Sequence, residues 1–310
     1  MSKPHIQLSD HFTYPRLLRF VAPSITMMIF TSIYGVVDGF FVSNYIGKTP
    51  FAALNFIMPF IMVLGGTGFM LGTGGSALVA KEMGCGHTER ANRIFTMMIG
   101  FVVVTGLILT VLGVAFIRPI ARLMGASESI MADCVLYGRV TIAFTTAFML
   151  QNVFQSFLVV AERPRVGLLV VVAAGVANMV LDALFIAVFH WGLAGAALAT
   201  GIGQCIGGVI PMVYILRGKD LPLRFVLFRF EARPILQACA NGSSEFMSNI
   251  STSFVSALYN MQLMRMLGED GVSAYGVLMY VQFIFIGTAI GYSIGCAPIV
   301  SYHYGAGHHD

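Results

Sequence analysis

Apolar residues run along this chain in long unbroken stretches separated by short polar turns, with no alternation of the strand type. Eight stretches stand out: Leu17–Val42, Phe51–Val79, Ile94–Ile117, Val135–Val160, Val166–Phe189, Leu193–Leu216, Pro234–Met266 and Val272–Val300. Each exceeds the roughly 20 helical residues needed to cross a hydrocarbon core of about 30 Å. In lipid, backbone groups must be satisfied within the segment itself, so apolar runs without strand alternation predict helices. The expected fold is an all-α polytopic membrane protein with these eight stretches as its spans. The first two are joined by the short turn Gly47–Pro50, and Pro23, Pro59 and Pro211 are expected to kink or unwind their helices locally. The longest connection, Arg217 to Arg233, is rich in arginine and reads as a linker. It divides the chain into a six-helix lobe (1–216), a linker (217–233) and two helices of a second lobe (234–310).

Composition agrees: 57% of the 310 residues are hydrophobic and only 10% charged, against about 25% charged in soluble domains. The net charge of +4 is not a nucleic-acid signal, because basic residues gather in the loops. Of the 18 Lys and Arg, all but Lys48, Arg118, Arg122, Arg139 and Arg265 lie at the N-terminus or after spans 2, 4 and 6. The positive-inside rule then places the N-terminus and the linker in the cytoplasm of a multi-pass protein of the plasma (inner) membrane. The first apolar run is too long for a signal-peptide core, so none is expected. Five scattered cysteines show no metal or disulfide spacing, and His308–His309 reads as solvated.

Thirty-four glycines fall mainly inside the spans, several with small-xxx-small spacing: Gly68/Gly72, Gly203/Gly207 and Gly287/Gly291/Gly295. Close helix packing is the expected role. An internal repeat is more informative. At an offset of 221, Thr31–Ser32 meets Thr252–Ser253, Gly47 meets Gly268, Gly66–Thr67 meets Gly287–Thr288, Gly74 meets Gly295 and Gly84-Cys-Gly-His87 meets Gly305-Ala-Gly-His308. The repeat is six spans long, so both copies point the same way, as in transporters built from two parallel lobes. The chain is therefore expected to be truncated after its eighth helix, about four spans short of the second copy.

Candidate chemistry centres on acids inside the spans. Asp182 lies well within an apolar run, where a central aspartate costs roughly 2.5 to 3.5 kcal/mol unless protonated, paired or bound to a cation. Asn178 precedes it by one turn, so both side chains share a face. The pair offers amide and carboxylate oxygens, which suit a hard cation such as Na⁺, while the carboxylate can take a proton instead. The alternative is a polar pair that holds helices together. Asp38, in the outer half of span 1, could face the same cavity, and two carboxylates at low dielectric repel unless a proton or cation joins them. Glu245, among Ser243, Ser244, Ser248 and Asn249, is a candidate cavity or entrance residue. Gln151, Asn152 and Gln155 either line a cavity or bond across helices.

With Asp38, the Asn-Met-Val-Leu-Asp182 stretch, Gly192-Leu-Ala-Gly-Ala-Ala-Leu-Ala-Thr200 and the closing Ser301–Asp310 segment, the chain resembles the multidrug and toxic compound extrusion (MATE) family. The resemblance implies twelve helices in two lobes and export of organic cations driven by Na⁺ or H⁺. It also implies a cation site in the first lobe at Asp38, Asn178, Asp182 and Thr200. The seventh-helix glutamate of another branch is not matched, since Ser253 stands at that position. The expected activity is thus a secondary antiporter exporting cationic or amphipathic small molecules, with no cofactor beyond the coupling ion. Its expected partners are an organic substrate and the bilayer, without nucleic acid, and the full-length chain is expected to act as a monomer. A same-fold exporter of lipid-linked or anionic cargo is the alternative, with Arg139 the one basic candidate inside a span. An intramembrane enzyme is disfavoured, because the spans hold almost no His or Lys and no nucleophile–base arrangement.

Overall fold

A computed structural model describes residues 6–218 and 220–307, so Lys219 and the expected His308–His309 pair lie outside the described residues. The described residues are helical apart from short turns and one extended segment, and none is a strand. Eight α-helices follow in order: α1 (Tyr14–Phe41), α2 (Lys48–Gly84), α3 (Thr88–Leu123), α4 (Glu128–Ala143), α5 (Thr145–Val160), α6 (Pro164–Asp182), α7 (Gly192–Arg217) and α8 (Ala232–Gly305). Large apolar side chains such as Val104, Leu107, Ile108, Val111 and Phe116 of α3 stay exposed, as expected where the solvent is lipid. The chain is an all-α polytopic membrane protein.

Among the described residues six helical stretches are long and apolar enough to cross a membrane, and a bent pair makes a seventh. That pair is the expected fourth span with a break inside it: α4 and α5 meet at Phe144 with a bend of 53°. The stretch expected as span 7 is helical throughout but is not among the six, its apolar character diluted by Ser243, Ser244, Ser248, Asn249, Ser251 and Ser253. Spans 7 and 8 form the two arms of α8. Gly268, at φ 68°, is the one residue off helical geometry between them. Tyr259 and Tyr275 stack 5.3 Å apart, whereas a straight helix would separate them by about 24 Å. The chain therefore turns back at Gly268, and a left-handed φ explains why glycine is there.

Helical turns continue through Pro23, Pro59 and Pro211. The unwinding expected at those prolines occurs elsewhere. Val42–Ile46, directly after α1, and Ala183–Val188, directly after α6, are π-helical turns, a widened geometry frequent at functional sites.

Inside the bundle α1 packs on α6 and α8, α2 on α3, α4, α5 and α8, and α7 on α5 and α6. One apolar cluster, around Phe95, Met98, Phe154 and Phe157, fills the end that carries the N-terminus and the segment after α7. A second, around Ile57, Ile117, Tyr137 and Ile142, fills the opposite end. Leu8 is fully buried at the first end, where its N–H donates to Glu162 Oε1 at 2.8 Å.

The seam between the α1/α2 pair and the arms of α8 is built from reciprocal contacts. A β-carbon added at Gly84 would strike the Tyr302 carbonyl, and one at Gly305 would strike the Lys81 carbonyl. Gly74 abuts Gly242 while Gly295 abuts Val21, and Gly66 faces Asn249 while Gly287 faces Met28. In each case the second contact is the first with its partners exchanged at the 221-residue offset, which is the signature of a two-fold relation. At Gly74, Gly84, Gly242 and Gly305 the glycine is there because backbone meets backbone. Beyond Ser32, whose Oγ donates to the Phe283 carbonyl at 3.2 Å, the seam loosens, and Gly35 and Gly276 have nothing within 4 Å.

Candidate functional site

Three helices, α1, α6 and α7, present polar side chains to one buried layer. On α6, Asn178 is 2% exposed and Asp182 fully buried, one turn apart. On α1, Asp38 is 8% exposed, and its carboxyl group lies within hydrogen-bonding reach of that of Asp182. Asn178 packs against α7 at Gly203, where an added β-carbon would come within 3.3 Å of Asn178 Cβ. Thr200 is one turn before Gly203 and so shares that side of α7. The structure thus brings Asp38 and Asp182 together and sets Asn178 and Thr200 on the adjoining faces of α6 and α7.

What these groups lack is a partner. Asp38 Oδ1, both oxygens of Asp182, both amide atoms of Asn178 and Thr200 Oγ1 are buried without a hydrogen-bond partner. A buried polar atom left unsatisfied costs about 1–3 kcal/mol, and more when charged. Two ionised carboxylates cannot satisfy each other, so only a proton between them or a cation beside them completes the layer. The oxygen set of two carboxylates, an amide and a hydroxyl matches a hard ion. Among the described residues no three His, Cys, Asp or Glu gather as a transition-metal site would require.

Two residues join the layer that sequence reasoning did not single out. The Tyr34 hydroxyl feels the charge of Asp38, one turn along α1, and is within hydrogen-bonding reach of the Gln151 amide. Gln204, 9% exposed, has an unpartnered Oε1 one turn after Thr200. Tyr34 precedes Asp38 by four, and Gln204 follows Thr200 by four, so the spacing that flagged Asn178 and Asp182 could have found both. Of the α5 amides, Gln151 lies over Gly207, Asn152 Nδ2 donates to the Gly65 carbonyl at 3.4 Å, and Gln155 Oε1 is buried and unpartnered. Asn152 therefore bonds across helices, while Gln151 extends the polar layer toward α1. Glu245 stands apart on α8 and accepts a hydrogen bond from Ser244 Oγ at 3.0 Å. Arg139 is exposed on α4 and lines no part of the layer.

The sequence profile of the MatE family matches residues 23–184 and 246–310, which run from Pro23 in α1 through the acid of α6 and take in most of α8. The chain belongs to the MatE family. Its relatives include the multidrug export protein MepA of Staphylococcus saprophyticus, 22% identical over 93% of this chain, and MepA of Staphylococcus haemolyticus, 22% identical over 94%. In both cases the match spans 64% of the relative's length. Among solved structures, MATE in the straight conformation is similar with a TM-score of 0.85, and MATE in the bent conformation with 0.82. Each is 22% identical, and the match covers 94% of this chain and 65% of that one. At that identity the likeness establishes the fold.

Proposed function

We propose that this MatE-family chain is part of a secondary antiporter that exports cationic or amphipathic small molecules in exchange for Na⁺ or H⁺. The observation that carries the reading is the facing pair Asp38 and Asp182, buried with no donor between them. Occupancy of the pair by a proton or a cation changes the charge of the layer, and only a ligand with different affinity for two conformations can shift them. Asn178 and Thr200 complete the oxygen set when the ion is Na⁺. Both acids precede π-helical turns that touch each other, so a change in charge acts where the helices are already widened.

In this reading residues 1–216 form one lobe, 217–233 a cytoplasmic linker, and 234–310 the first two helices of a second lobe. The N-terminus is cytoplasmic, the reciprocal glycine seam closes the cytoplasmic side, and the loose end of the seam faces outward. The full-length protein works as a monomer on organic substrates. Multidrug export by the MepA relatives supports the choice of cargo. The decisive test is efflux of a cationic dye from vesicles holding the full-length protein under an imposed Na⁺ or pH gradient. Asp182→Asn is expected to insert normally and to lose gradient-driven efflux. Unchanged efflux by that variant would sink the coupling role.

A further inference from the structure

A second site lies at the linker end of α3, away from the acid pair. Arg90 and Arg93 on the first turns of α3 and Arg229 on the extended segment before α8 line one small cleft of about 150 Å³ with Ile94, Met97, Glu231 and Pro234. Arg90 pairs with Glu82 at 3.7 Å, whereas Arg93 and Arg229 have no ion-pair partner among the described residues. With Arg90 paired to Glu82, Arg93 and Arg229 bring two positive charges to a cleft that holds one carboxylate, Glu231, so a positive charge is left over for an anion to neutralise. Yet the extended segment is held in place. The Arg224 N–H donates to Asn92 Oδ1 at 2.9 Å, the Val226 N–H donates to Thr96 Oγ1 at 3.1 Å, and the Phe225 ring packs 4.9 Å from Phe95.

The surroundings indicate which anion. Arg93 begins a stripe of α3 that continues through Gly100, Val104, Leu107 and Val111. The Phe228 ring would lie 3.4 Å from a β-carbon at Gly100, and Val104, Leu107 and Val111 are exposed. Leu227 is 98% and Phe230 66% exposed beside the same cleft. With 36 residues α3 is about 54 Å long, well beyond a core of about 30 Å, so its first turns stand at headgroup depth. An arginine cleft opening onto an apolar track is the form that anionic lipid recognition takes.

We propose that Arg93 and Arg229, with Arg90, bind the phosphate of an anionic phospholipid whose acyl chains run along Phe228, Val104 and Leu107. The lipid bridges the like charges and fastens the linker to α3. The proposal takes from the functional reading only the leaflet, the cytoplasmic one. The test is retention of phosphatidylglycerol by the full-length protein in native mass spectrometry, in competition with phosphatidylcholine. Two arginines at about 1 kcal/mol each make R93Q/R229Q roughly 30-fold weaker. R118Q/R122Q, with the same charge change at the other end of α3, is expected to retain the lipid fully. Excess inorganic phosphate is expected to leave the bound lipid in place, and bound lipid to slow tryptic cleavage after Arg224 and Arg229.

Equal retention by the two double variants would overturn the site. Displacement by inorganic phosphate would overturn a lipid in favour of a soluble anion. Should R93Q/R229Q fail to purify as a monodisperse protein, F230S decides instead, with weaker retention expected and unchanged retention counting against the proposal. Dye efflux need not change in any of these variants, so failure here and failure of the antiport reading are separate results.

Discussion

Gly74 offers the sharpest test of the seam. A methyl there would fall on the Ala238 carbonyl oxygen and 2.7 Å from the Gly242 nitrogen. Both obstacles are backbone, so no rotamer change relieves the clash and the helices must separate. Overpacking costs about 1–3 kcal/mol, and an obstacle that cannot yield argues for the upper half, about 2–3 kcal/mol. If the cost falls on the closed seam alone, the closed-to-open ratio drops roughly 30- to 150-fold. Cys85, whose Sγ lies 3.2 Å from the Gly305 carbonyl, supplies one half of a reporter. A306C in the full-length protein supplies the other, and mild oxidation followed by peptide mass spectrometry measures their cross-link. G74A is expected to lower cross-linking steeply in that background. G35A is the control: Gly35 has nothing within 4 Å, and alanine inside a helix is expected to stabilise by about 0.5–1 kcal/mol without changing the cross-link. Equal cross-linking in G74A and its parent would refute a seam held shut by backbone contact.

Other substitutions separate the parts of the polar layer and its supports. Y34F removes the hydroxyl beside Asp38 and Gln151, and the loss of one net hydrogen bond of about 0.5–1.5 kcal/mol is expected to shift the half-saturating Na⁺ or H⁺ concentration for efflux a few-fold. Asp38→Asn is expected to match Asp182→Asn in abolishing gradient-driven efflux, because either change leaves a single carboxylate. N92A withdraws the acceptor for the Arg224 N–H and is expected to speed tryptic cleavage of the 218–231 segment and to cost about 1–3 kcal/mol of stability, read as an earlier thermal unfolding transition. Unchanged proteolysis would mean that the Val226–Thr96 hydrogen bond and the aromatic contact of Phe225 with Phe95 hold the segment without Asn92.

The sequence alone determined the solvent and the element type. Apolar runs of membrane-spanning length leave the backbone only one way to satisfy itself, so helices follow without knowledge of their neighbours. It also marked Asp38, Asn178 and Asp182, because a carboxylate in an apolar run is costly enough to be conspicuous and a four-residue interval fixes a shared helical face, whereas Thr200 came from the family resemblance alone. The offset repeat announced that Gly84 and Gly305 play equivalent parts. Only the tertiary structure decided that Asp38 and Asp182 meet, since they are far apart in the chain and their approach depends on how α1 packs on α6. It alone drew in Tyr34 and Gln204, which look like ordinary span residues until a neighbouring helix leaves them facing polar groups. The break at Phe144 and the widened turns after Asp38 and Asp182 were equally hidden. Proline marks a lost hydrogen bond in the sequence, but where a helix yields is set by the packing around it. The same holds for the arginine cleft: its charges were counted as loop residues, and the path of the linker along α3 is what gathers them.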